Sequence, residues 1–391
     1  MAEGEIIYLD NNATTQLDPA VIEEMLPFLT KYYGNPSSGY GFAATARKAI
    51  NLARERLAGL LGCEVTEIIF TSGGTESNNA VISSALQPEV RGKRVVTSSV
   101  EHSAVLRPCQ DLAKRGCDVT FLRVDRDGNL DPAELDAAIR PGTALVSIMW
   151  ANNETGVVFP IEKIAGICRE KRVLFHTDAV QATGKIPMRL RDSPINFLSL
   201  SAHKFHGPKG VGALYVSRQT RFNPLIAGGG QENGRRGGTE NVASIVGLGK
   251  AAEIAFKYLA EGKGNVRSMR DRFEKSVLQA VSGASVNGAG AARLANTSSL
   301  SFDGIESASA LLLLDRQGIC CSAGSACRTG SQEASHVLRA MNPDSDGARR
   351  SLRFSLGRFN SDAQIDRAID VVPKVIEKLR QLSPVREPIV A

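Results

Sequence analysis

The feature that most constrains the fold is a regular alternation of strand-like and helix-like segments between about residues 18 and 260. Short apolar runs, rich in β-branched residues, occur at 68–70, 95–96, 119–122, 145–148, 173–175 and 197–198. Helical patterns separate most of these runs. Strands that alternate with helices are typical of βαβ units, so we predict an α/β fold whose sheet is mostly parallel and covered by helices on both faces.

The pattern changes near residue 265. A charged helical segment leads into a Gly/Ala-rich loop at 288–292 and a strand pattern at 298–302, and Ser361 and Gln364 have the spacing of a capping box before a last amphipathic helix. We predict two domains: a large domain with a mostly parallel central sheet, residues 15–262, and a smaller α+β domain formed by 1–14 together with 263–391.

Composition argues against several classes of partner. The 391 residues carry 47 basic and 41 acidic side chains, and a net charge of +6 on a surface of this size gives little reason to expect nucleic acid. The N-terminus does not show a basic segment followed by an apolar stretch, and the longest apolar runs are too short to cross a bilayer. We therefore expect no signal peptide and no membrane partner.

The seven cysteines are an odd number, scattered along the chain without a Cys-x-x-Cys pair, and there are only five histidines. This pattern indicates neither a disulfide framework nor a metal site. A reducing cytoplasm is the expected location.

The most informative segment begins as an apolar run at 197–201 and continues through His203 and Lys204 to a Gly-Pro turn at 207–208. A lysine that binds a cofactor through its amine needs such a setting, because rigid backbone at a sheet edge fixes the amine and small neighbours leave room for a planar ring. The alternative is an ordinary surface loop that contains two lysines, Lys204 and Lys209.

A second apolar run, 173–175, is followed by Asp178 at its carboxyl end. Ligands of open α/β sheets bind outside the carboxyl ends of the strands. A carboxylate there would keep a pyridine nitrogen protonated, so that a pyridoxal ring can take up electrons. An aspartate that ends a strand is also a common helix cap or turn residue.

Residues 71–77 read Thr-Ser-Gly-Gly-Thr-Glu-Ser, after a predicted strand and at the start of a predicted helix. Free backbone N–H groups at a helix N-terminus bind anions, and this site suits a cofactor phosphate. The segment is neither a Walker A loop nor GxGxxG, which disfavours a nucleotide. A plain helix cap after a tight turn is the alternative, and both interpretations can hold together.

Together these segments resemble the cysteine desulfurases of the NifS/IscS type, which belong to the fold-type-I, class-V-aminotransferase-like pyridoxal-phosphate enzymes. Similar motifs cover nearly the whole chain, at 8–15, 34–38, 99–102, 152–156, 228–232, 235–241 and 353–358. The resemblance implies an enzyme that uses pyridoxal 5′-phosphate to convert L-cysteine to L-alanine and keeps the sulfur as a persulfide.

The resemblance also assigns roles to residues. Lys204 would bind the cofactor, Asp178 would pair with its pyridine nitrogen, and His102 would stack on the ring and act as an acid/base partner. Arg353 would bind the substrate carboxylate in bidentate geometry. The other expected contacts are Gln181 and Asn153 to the phenolic oxygen, Asn153 also to the substrate, Gly74, Thr75, Ser201 and His203 to the phosphate, and Thr239 to the phosphate of a neighbouring subunit.

Cys327 is the predicted sulfur acceptor. It lies in a Gly-Ser-Ala-Cys segment like that of the family's catalytic cysteine, and the cation of Arg328 beside it favours the thiolate. Cys320 and Cys321 follow an apolar stretch, so we expect them to be buried as small hydrophobic residues. The chain departs from the family at Arg328, where a small polar residue is usual, and at Tyr40, where a histidine is usual. Arg328 bears on how the cysteine loop moves or on the acceptor it meets.

The resemblance implies a homodimer and a partner that accepts sulfur, such as an iron–sulfur scaffold protein. One alternative is a related aminotransferase or selenocysteine lyase, although transamination has no use for a cysteine in a mobile loop. A non-catalytic scaffold of the same fold is another, but it would be expected to lose the lysine or the thiol. The sequence leaves open whether nitrogenase maturation, general iron–sulfur assembly or tRNA thiolation receives the sulfur.

Overall fold

The computed structural model describes residues 6–86, 93–262, 264–323, 335–343 and 347–382. Strands and helices alternate through its first two thirds, as the sequence predicts. In chain order the strands are β1 (Ile7–Tyr8), β2 (Ile68–Thr71), β3 (Arg94–Ser98), β4 (Asp118–Leu122), β5 (Thr143–Ser147), β6 (Leu174–Asp178), β7 (Phe197–Ser201), β8 (Gly212–Val216), β9 (Ala284–Val286), β10 (Thr297–Phe302), β11 (Ile319–Cys320), β12 (Ser322–Ala323) and β13 (Ser351–Ser355). The α-helices are α1 (Pro19–Thr30), α2 (Gly41–Leu61), α3 (Gly74–Ala85), α4 (Ser103–Lys114), α5 (Pro132–Ala138), α6 (Ile161–Glu170), α7 (Val242–Glu261), α8 (Val266–Ala280), α9 (Ser307–Arg316), α10 (His336–Met341), α11 (Gly347–Arg350) and α12 (Asp362–Leu382).

The main sheet has the order β2-β8-β7-β6-β5-β3-β4 within the described residues. Strands β7, β6, β5, β3 and β4 lie side by side in that order, and each pairs in parallel with the next. Strand β8 runs antiparallel to both β2 and β7. The predicted α/β fold with a mostly parallel central sheet is confirmed, and β8 is a strand that the sequence patterns did not identify.

Alternate residues of β2 show that helices cover both faces of this sheet. Ile68 and Phe70 point into a core that also contains Leu57 of α2 and Leu248 of α7. Ile69 points to the other face, where α3 and α4 supply the covering side chains. Because both faces are buried, the inner strands carry apolar residues on both sides, and the polar residues within them, such as His176 and Ser199, are buried as well.

The carboxyl ends of the parallel strands meet at one edge of the sheet. Thr71, Ser98, Asp178 and Ser201 end β2, β3, β6 and β7 respectively. These polar side chains end strands that are almost wholly buried. This arrangement puts the predicted site residues of separate chain segments next to one another.

The edge is closely packed at Gly212, the first residue of β8, which pairs with Thr71 and Ser201. A Cβ atom at this position would lie 2.4 Å from the Leu200 carbonyl oxygen and 2.7 Å from the Gly73 Cα. Glycine therefore lets the loop before α3 approach the end of β7.

A second sheet has the antiparallel order β12-β13-β10-β9, and β1 pairs in parallel with β11. Ile7 and Leu9 pack into a second core with α8, α9 and α12. Leu294, Val337 and Leu338, by contrast, pack against the core of the main sheet. The domain boundaries, 15–262 against 1–14 with 263–391, remain a prediction.

Helix α12 begins with the capping box that the sequence predicts. The Ser361 N–H donates to Gln364 Oε1 (3.4 Å), and the Gln364 N–H donates to Ser361 Oγ (3.3 Å). Ile365 and Ala368 of this helix are buried in the second core. Although α12 is long, none of the helices in the described ranges is apolar enough over a sufficient length to cross a membrane.

Candidate functional site

Lys204 lies one 3₁₀ turn beyond the end of β7. Its Nζ donates to the carbonyl oxygens of Asn12 and Ala13, each at 2.7 Å. The backbone N–H and Oγ1 of Thr15 both donate to the carbonyl oxygen of His203. The N-terminal segment therefore lies directly against the predicted cofactor lysine and fixes its amine.

Asp178, at the end of β6, is buried. Its Oδ2 accepts a hydrogen bond from Asn78 Nδ2 (2.7 Å), and its Oδ1 accepts one from the Val180 N–H (3.0 Å). Asn78 was not predicted as a site residue. The sequence feature that could have identified Asn78 is its position one helical turn after Gly74, on the helix that begins with the predicted anion site.

Gln181 shares a hydrogen-bond acceptor with Lys204. Gln181 Nε2 donates to the Asn12 carbonyl oxygen at 2.9 Å, the same oxygen that accepts from Lys204 Nζ. Lys185 Nζ donates to Gln181 Oε1 at 2.7 Å and lies 3.5 Å from Asn12 Oδ1. The sequence analysis assigned no role to Asn12 or Lys185, although Asn12 belongs to the motif at residues 8–15 that carries the resemblance.

The N-terminus of α3 packs against the ends of β6 and β7. A Cβ atom on Gly74 would lie 2.6 Å from Val180 Cγ2 and 3.9 Å from Ser201 Cβ. Thr75 follows in the first turn of the helix. Gly74, Thr75 and Ser201 therefore surround the positive end of one helix, which is a suitable environment for a phosphate.

His102 is the N-cap of α4, and its Nδ1 accepts a hydrogen bond from the Ala104 N–H at 3.1 Å. Burial lowers the pKa of His102, and the cationic groups of Lys204 and His336 lower it further. The carboxylate of Asp178 has the opposite effect and raises it. The His102 ring is therefore close enough to Asp178 and Lys204 for their charges to change its pKa. With a lowered pKa, the ring is neutral at neutral pH.

His203 faces the N-terminal segment, with its Nδ1 3.2 Å from Thr14 Oγ1. Burial lowers the pKa of His203 to about 4, and the neighbouring amines of Lys204, Lys209 and Lys185 contribute. A neutral imidazole donates one hydrogen bond and accepts another, so His203 offers one donor and one acceptor at neutral pH and carries little positive charge.

Arg353 lies on β13 and joins the second sheet to this edge. Its Nη2 pairs with Asp10 Oδ1 (2.6 Å), and its Nη1 donates to the carbonyl oxygen of Asn153 (2.8 Å). Arg353 is buried, and its Nε has no hydrogen-bond partner among the described residues. Arg353 and Asn153 are thus together, as predicted for a substrate carboxylate site, and Asp10 is an additional member that the sequence roles did not include.

Glu101, next to His102, is a further buried group without a predicted role. Its Oε1 accepts hydrogen bonds from Ser98 Oγ (2.7 Å) and the Met149 N–H (3.0 Å), whereas its Oε2 has no partner within the described part of the chain. Burial raises the pKa of Glu101 to about 8, and the charge of Asp178 adds to the shift. Glu101 is therefore largely protonated at neutral pH.

Thr239 lines a cavity of about 220 Å³ with Thr71 and Ser72 of its own chain, which directly precede α3. Arg236, on the same cavity, pairs with Glu76 of α3 at 3.0 Å. This places the Thr239 loop near the start of α3.

Cys327, the predicted sulfur acceptor, lies outside the described residues. Cys320 and Cys321 are described, and both are only partly buried, so the expectation that they are buried is wrong. Burial raises the pKa of Cys321 and of Cys320, and nearby carboxylates add to both shifts. Both thiols are therefore poor sources of thiolate at neutral pH.

Comparisons with known proteins agree with this geometry. Residues 7–368 match the family model described as aminotransferase class-V. A cysteine desulfurase of Trichormus azollae is 51% identical over 97% of this chain and 95% of its own length. A solved NifS-like protein is 38% identical, with a TM-score of 0.89 over 96% of this chain and all of its own. A structure of SspA in complex with cysteine is 38% identical, with a TM-score of 0.80 over 90% of this chain and 99% of that one. This chain belongs to the class-V aminotransferase family and, within it, to the cysteine desulfurases.

Proposed function

We propose that this chain is a pyridoxal-phosphate-dependent cysteine desulfurase in which Lys204 binds the cofactor, Arg353 binds the carboxylate of L-cysteine and Cys327 receives the sulfur. The observation that carries this proposal is the N-terminal segment at residues 10–13. It accepts hydrogen bonds from the Lys204 amine at Asn12 and Ala13 and pairs with the Arg353 guanidinium at Asp10. An amino acid whose carboxylate meets Arg353 is thereby held beside the amine of Lys204.

The described residues fit the cofactor. Asp178 is a buried carboxylate with neutral hydrogen-bond donors around it, so a protonated pyridine nitrogen would supply a matching positive charge. Asn78 Oδ1 has no hydrogen-bond partner in the described ranges. The start of α3, beside Ser201, offers backbone donors to a phosphate.

They also fit the substrate. Arg353 Nε is buried without a partner in the described structure, and such a group is costly unless an acceptor meets it. A carboxylate that accepts from Nε satisfies this donor and gains a charge-assisted hydrogen bond.

The residues then have complementary tasks. Bound pyridoxal phosphate supplies a ring that takes up the electron pair released at the substrate Cα. Lys204, once its amine is free, removes the Cα proton, while Arg353 keeps the carboxylate in place. His102 is neutral because of burial, and its Nδ1 accepts the Ala104 N–H, so its proton lies on Nε2 and that nitrogen is able to donate it.

The thiolate of Cys327 attacks the sulfur of the substrate. The new S–S bond makes a persulfide on Cys327, the C–S bond breaks, and its electron pair stays with the three-carbon fragment, which is protonated and leaves as alanine. Ser322 pairs with Arg353 across β12 and β13. Cys327 follows five residues later in the sequence, and a segment of that length can span about 18 Å. The connection to β12 is therefore long enough to let the thiol reach a substrate held at Arg353.

We also propose a cytoplasmic homodimer that passes the persulfide to a sulfur-acceptor or iron–sulfur scaffold protein, with Thr239 reaching the phosphate site of the other subunit. Several large apolar side chains near α1 are exposed, among them Leu26, Leu29 and Tyr33. A group of exposed apolar residues supports an association surface, and a second copy of this chain is the occupant that the shared-site proposal requires.

The function is tested by incubating the purified, cofactor-loaded protein with L-cysteine and a reducing thiol. Equal amounts of alanine and sulfide are expected. A matched reaction with L-alanine plus a 2-oxo acid tests transamination. Amino transfer without sulfide release from L-cysteine would show that the chain is an aminotransferase of the same fold.

A further inference from the structure

We propose that Lys185 is a positioning residue: it fixes the amide of Gln181 so that the amide nitrogen, and not the oxygen, faces the cofactor beside Lys204. This inference rests on the proposed function, because it concerns how the protein holds the same cofactor. Lys185 has no part in the chemical steps given above.

The amide of Gln181 is held at both of its ends. Lys185 Nζ donates to Oε1 at 2.7 Å, and the carbonyl oxygen of Asn12 accepts from Nε2 at 2.9 Å. Rotating the amide by half a turn would bring Oε1 against the Asn12 carbonyl oxygen, so that two acceptors would face each other. The two contacts therefore select one orientation of the amide.

The selected orientation places an N–H donor next to the cofactor amine. Gln181 Nε2 and Lys204 Nζ donate to the same oxygen of Asn12, at 2.9 and 2.7 Å, so the two nitrogens lie side by side. In pyridoxal phosphate the phenolic oxygen is on the ring carbon next to the one that bears the aldehyde, to which a lysine attaches. The second N–H of the Gln181 amide is then available to that oxygen.

Lys185 lies in a cationic environment. The residue as a whole is partly exposed, yet burial around its amine, with the charges of Lys204 and Arg353, lowers the pKa of Lys185 to about 7. His203 and His206 also face it, and burial with nearby cations lowers the pKa of each to about 4. Burying a lysine amine costs free energy unless a hydrogen bond compensates for the lost water. The hydrogen bond to Gln181 Oε1 is the shorter of the two that Lys185 makes among the described residues.

The test follows the absorbance of the holoenzyme with pH, which reports the apparent pKa of the chromophore formed between Lys204 and the cofactor. A donor to the phenolic oxygen stabilises its negative charge and weakens its hold on the neighbouring proton. Lys185→Met should therefore raise this apparent pKa by about one unit, the size expected for loss of one hydrogen bond to a charged group. Lys209→Met, which removes an exposed lysine on the turn after Lys204, is the control and should leave the titration unchanged.

Two further variants separate the hydrogen bond from the charge. Lys185→Gln keeps a donor without a charge, and it should titrate like the wild type. Gln181→Ala should raise the apparent pKa by itself, and adding Lys185→Met to it should cause no further shift, because the lysine acts through the amide. A shift in Lys185→Gln as large as in Lys185→Met, or an added shift in the double variant, would overturn the proposal.

The outcome is separable from that of the proposed function. Failure of the wild-type protein to load pyridoxal phosphate on Lys204 would contradict the function. A wild-type protein that loads it and releases sulfide, with Lys185→Met titrating normally, would contradict only the role of Lys185. If Lys185→Met does not fold, Lys185→Leu, which also removes the donor, replaces it, and a titration like that of the wild type in this variant contradicts the proposal.

Discussion

At the scale of single residues, the site depends on which charges the protein allows at its edge. Glu101 is completely buried beside His102, with one carboxyl oxygen hydrogen-bonded by Ser98 and Met149. A group with this environment favours its neutral form. The protein thus keeps a second negative charge away from Asp178, leaving that carboxylate as the one available to a cationic ring nitrogen.

Glu101→Gln should make stability less dependent on pH. The folded-state pKa of Glu101 is raised to about 8 from an ordinary value near 4.5, so its contribution to the free energy of unfolding is complete below pH 4.5 and is lost as the pH rises toward 8. The variant should gain on the wild type by up to about 1.4 kcal/mol per pH unit in that window. Urea unfolding between pH 5.5 and 8 measures this gain, with the exposed Glu134→Gln as the control. A difference that is the same at every pH would contradict the buried neutral carboxyl.

Lys204 should be the one residue that borohydride links to the cofactor. Its amine is fixed by the carbonyl oxygens of Asn12 and Ala13, whereas Lys209 is exposed on the following turn. Peptide mass spectrometry of the reduced protein should find the adduct on Lys204. Lys204→Ala should lose turnover with L-cysteine and give no adduct, and an adduct on Lys209 or Lys185 would show that the cofactor lysine is misassigned.

At the scale of elements, the sequence patterns predicted most strands of the main sheet, because buried parallel strands are short apolar runs. They missed β8, Gly212–Val216. That strand begins with the glycine that the close approach to Leu200 and Gly73 requires, and it follows a Gly-Pro turn, so its pattern is weak. Its antiparallel direction was also not visible, since direction follows from the length and path of the connection rather than from the strand itself.

The positions of Asp178, which ends β6, Gly74, which begins α3, and Lys204, one turn after β7, were predictable from the strand and helix patterns. Asn12 was not assigned a role, because its importance comes from contacts with Lys204 and Gln181 that are far away in sequence. Asn78 was missed for a similar reason, since its helix must first pack across β6 for its amide to reach Asp178.

Ser361→Ala tests the cap of α12 as an element. The hydroxyl accepts the Gln364 N–H in a two-way capping box, so its loss should lower the free energy of unfolding by about 1 kcal/mol. Chemical denaturation measures the change. Ser361→Asp keeps an acceptor at the same position and should retain most of the stability. Equal losses in the two variants would show that the cap does not stabilise α12.

At the scale of the whole molecule, the account requires two subunits. Mixing Lys204→Ala chains with Thr239→Ala chains, under conditions that exchange subunits, should produce hybrid dimers with one complete site. That site takes Lys204 from one subunit and Thr239 from the other, so cofactor affinity and turnover should exceed those of either variant alone. Sedimentation gives the oligomeric state of each sample. A mixture no better than the two separate variants, or a fully active monomer, would contradict a shared site.

Mass spectrometry of the enzyme after a brief pulse of L-cysteine tests whether Cys327 takes the sulfur from the substrate. One added sulfur is expected on the peptide that contains Cys327, and none on the partly buried neighbours Cys320 and Cys321, whose raised pKa values disfavour the thiolate. Cys327→Ala should still load the cofactor on Lys204 and bind L-cysteine, but release no sulfide. Cys321→Ala, the matched control, should cost about 1 kcal/mol of stability and keep its turnover. A persulfide on Cys321, together with full activity of Cys327→Ala, would contradict the account.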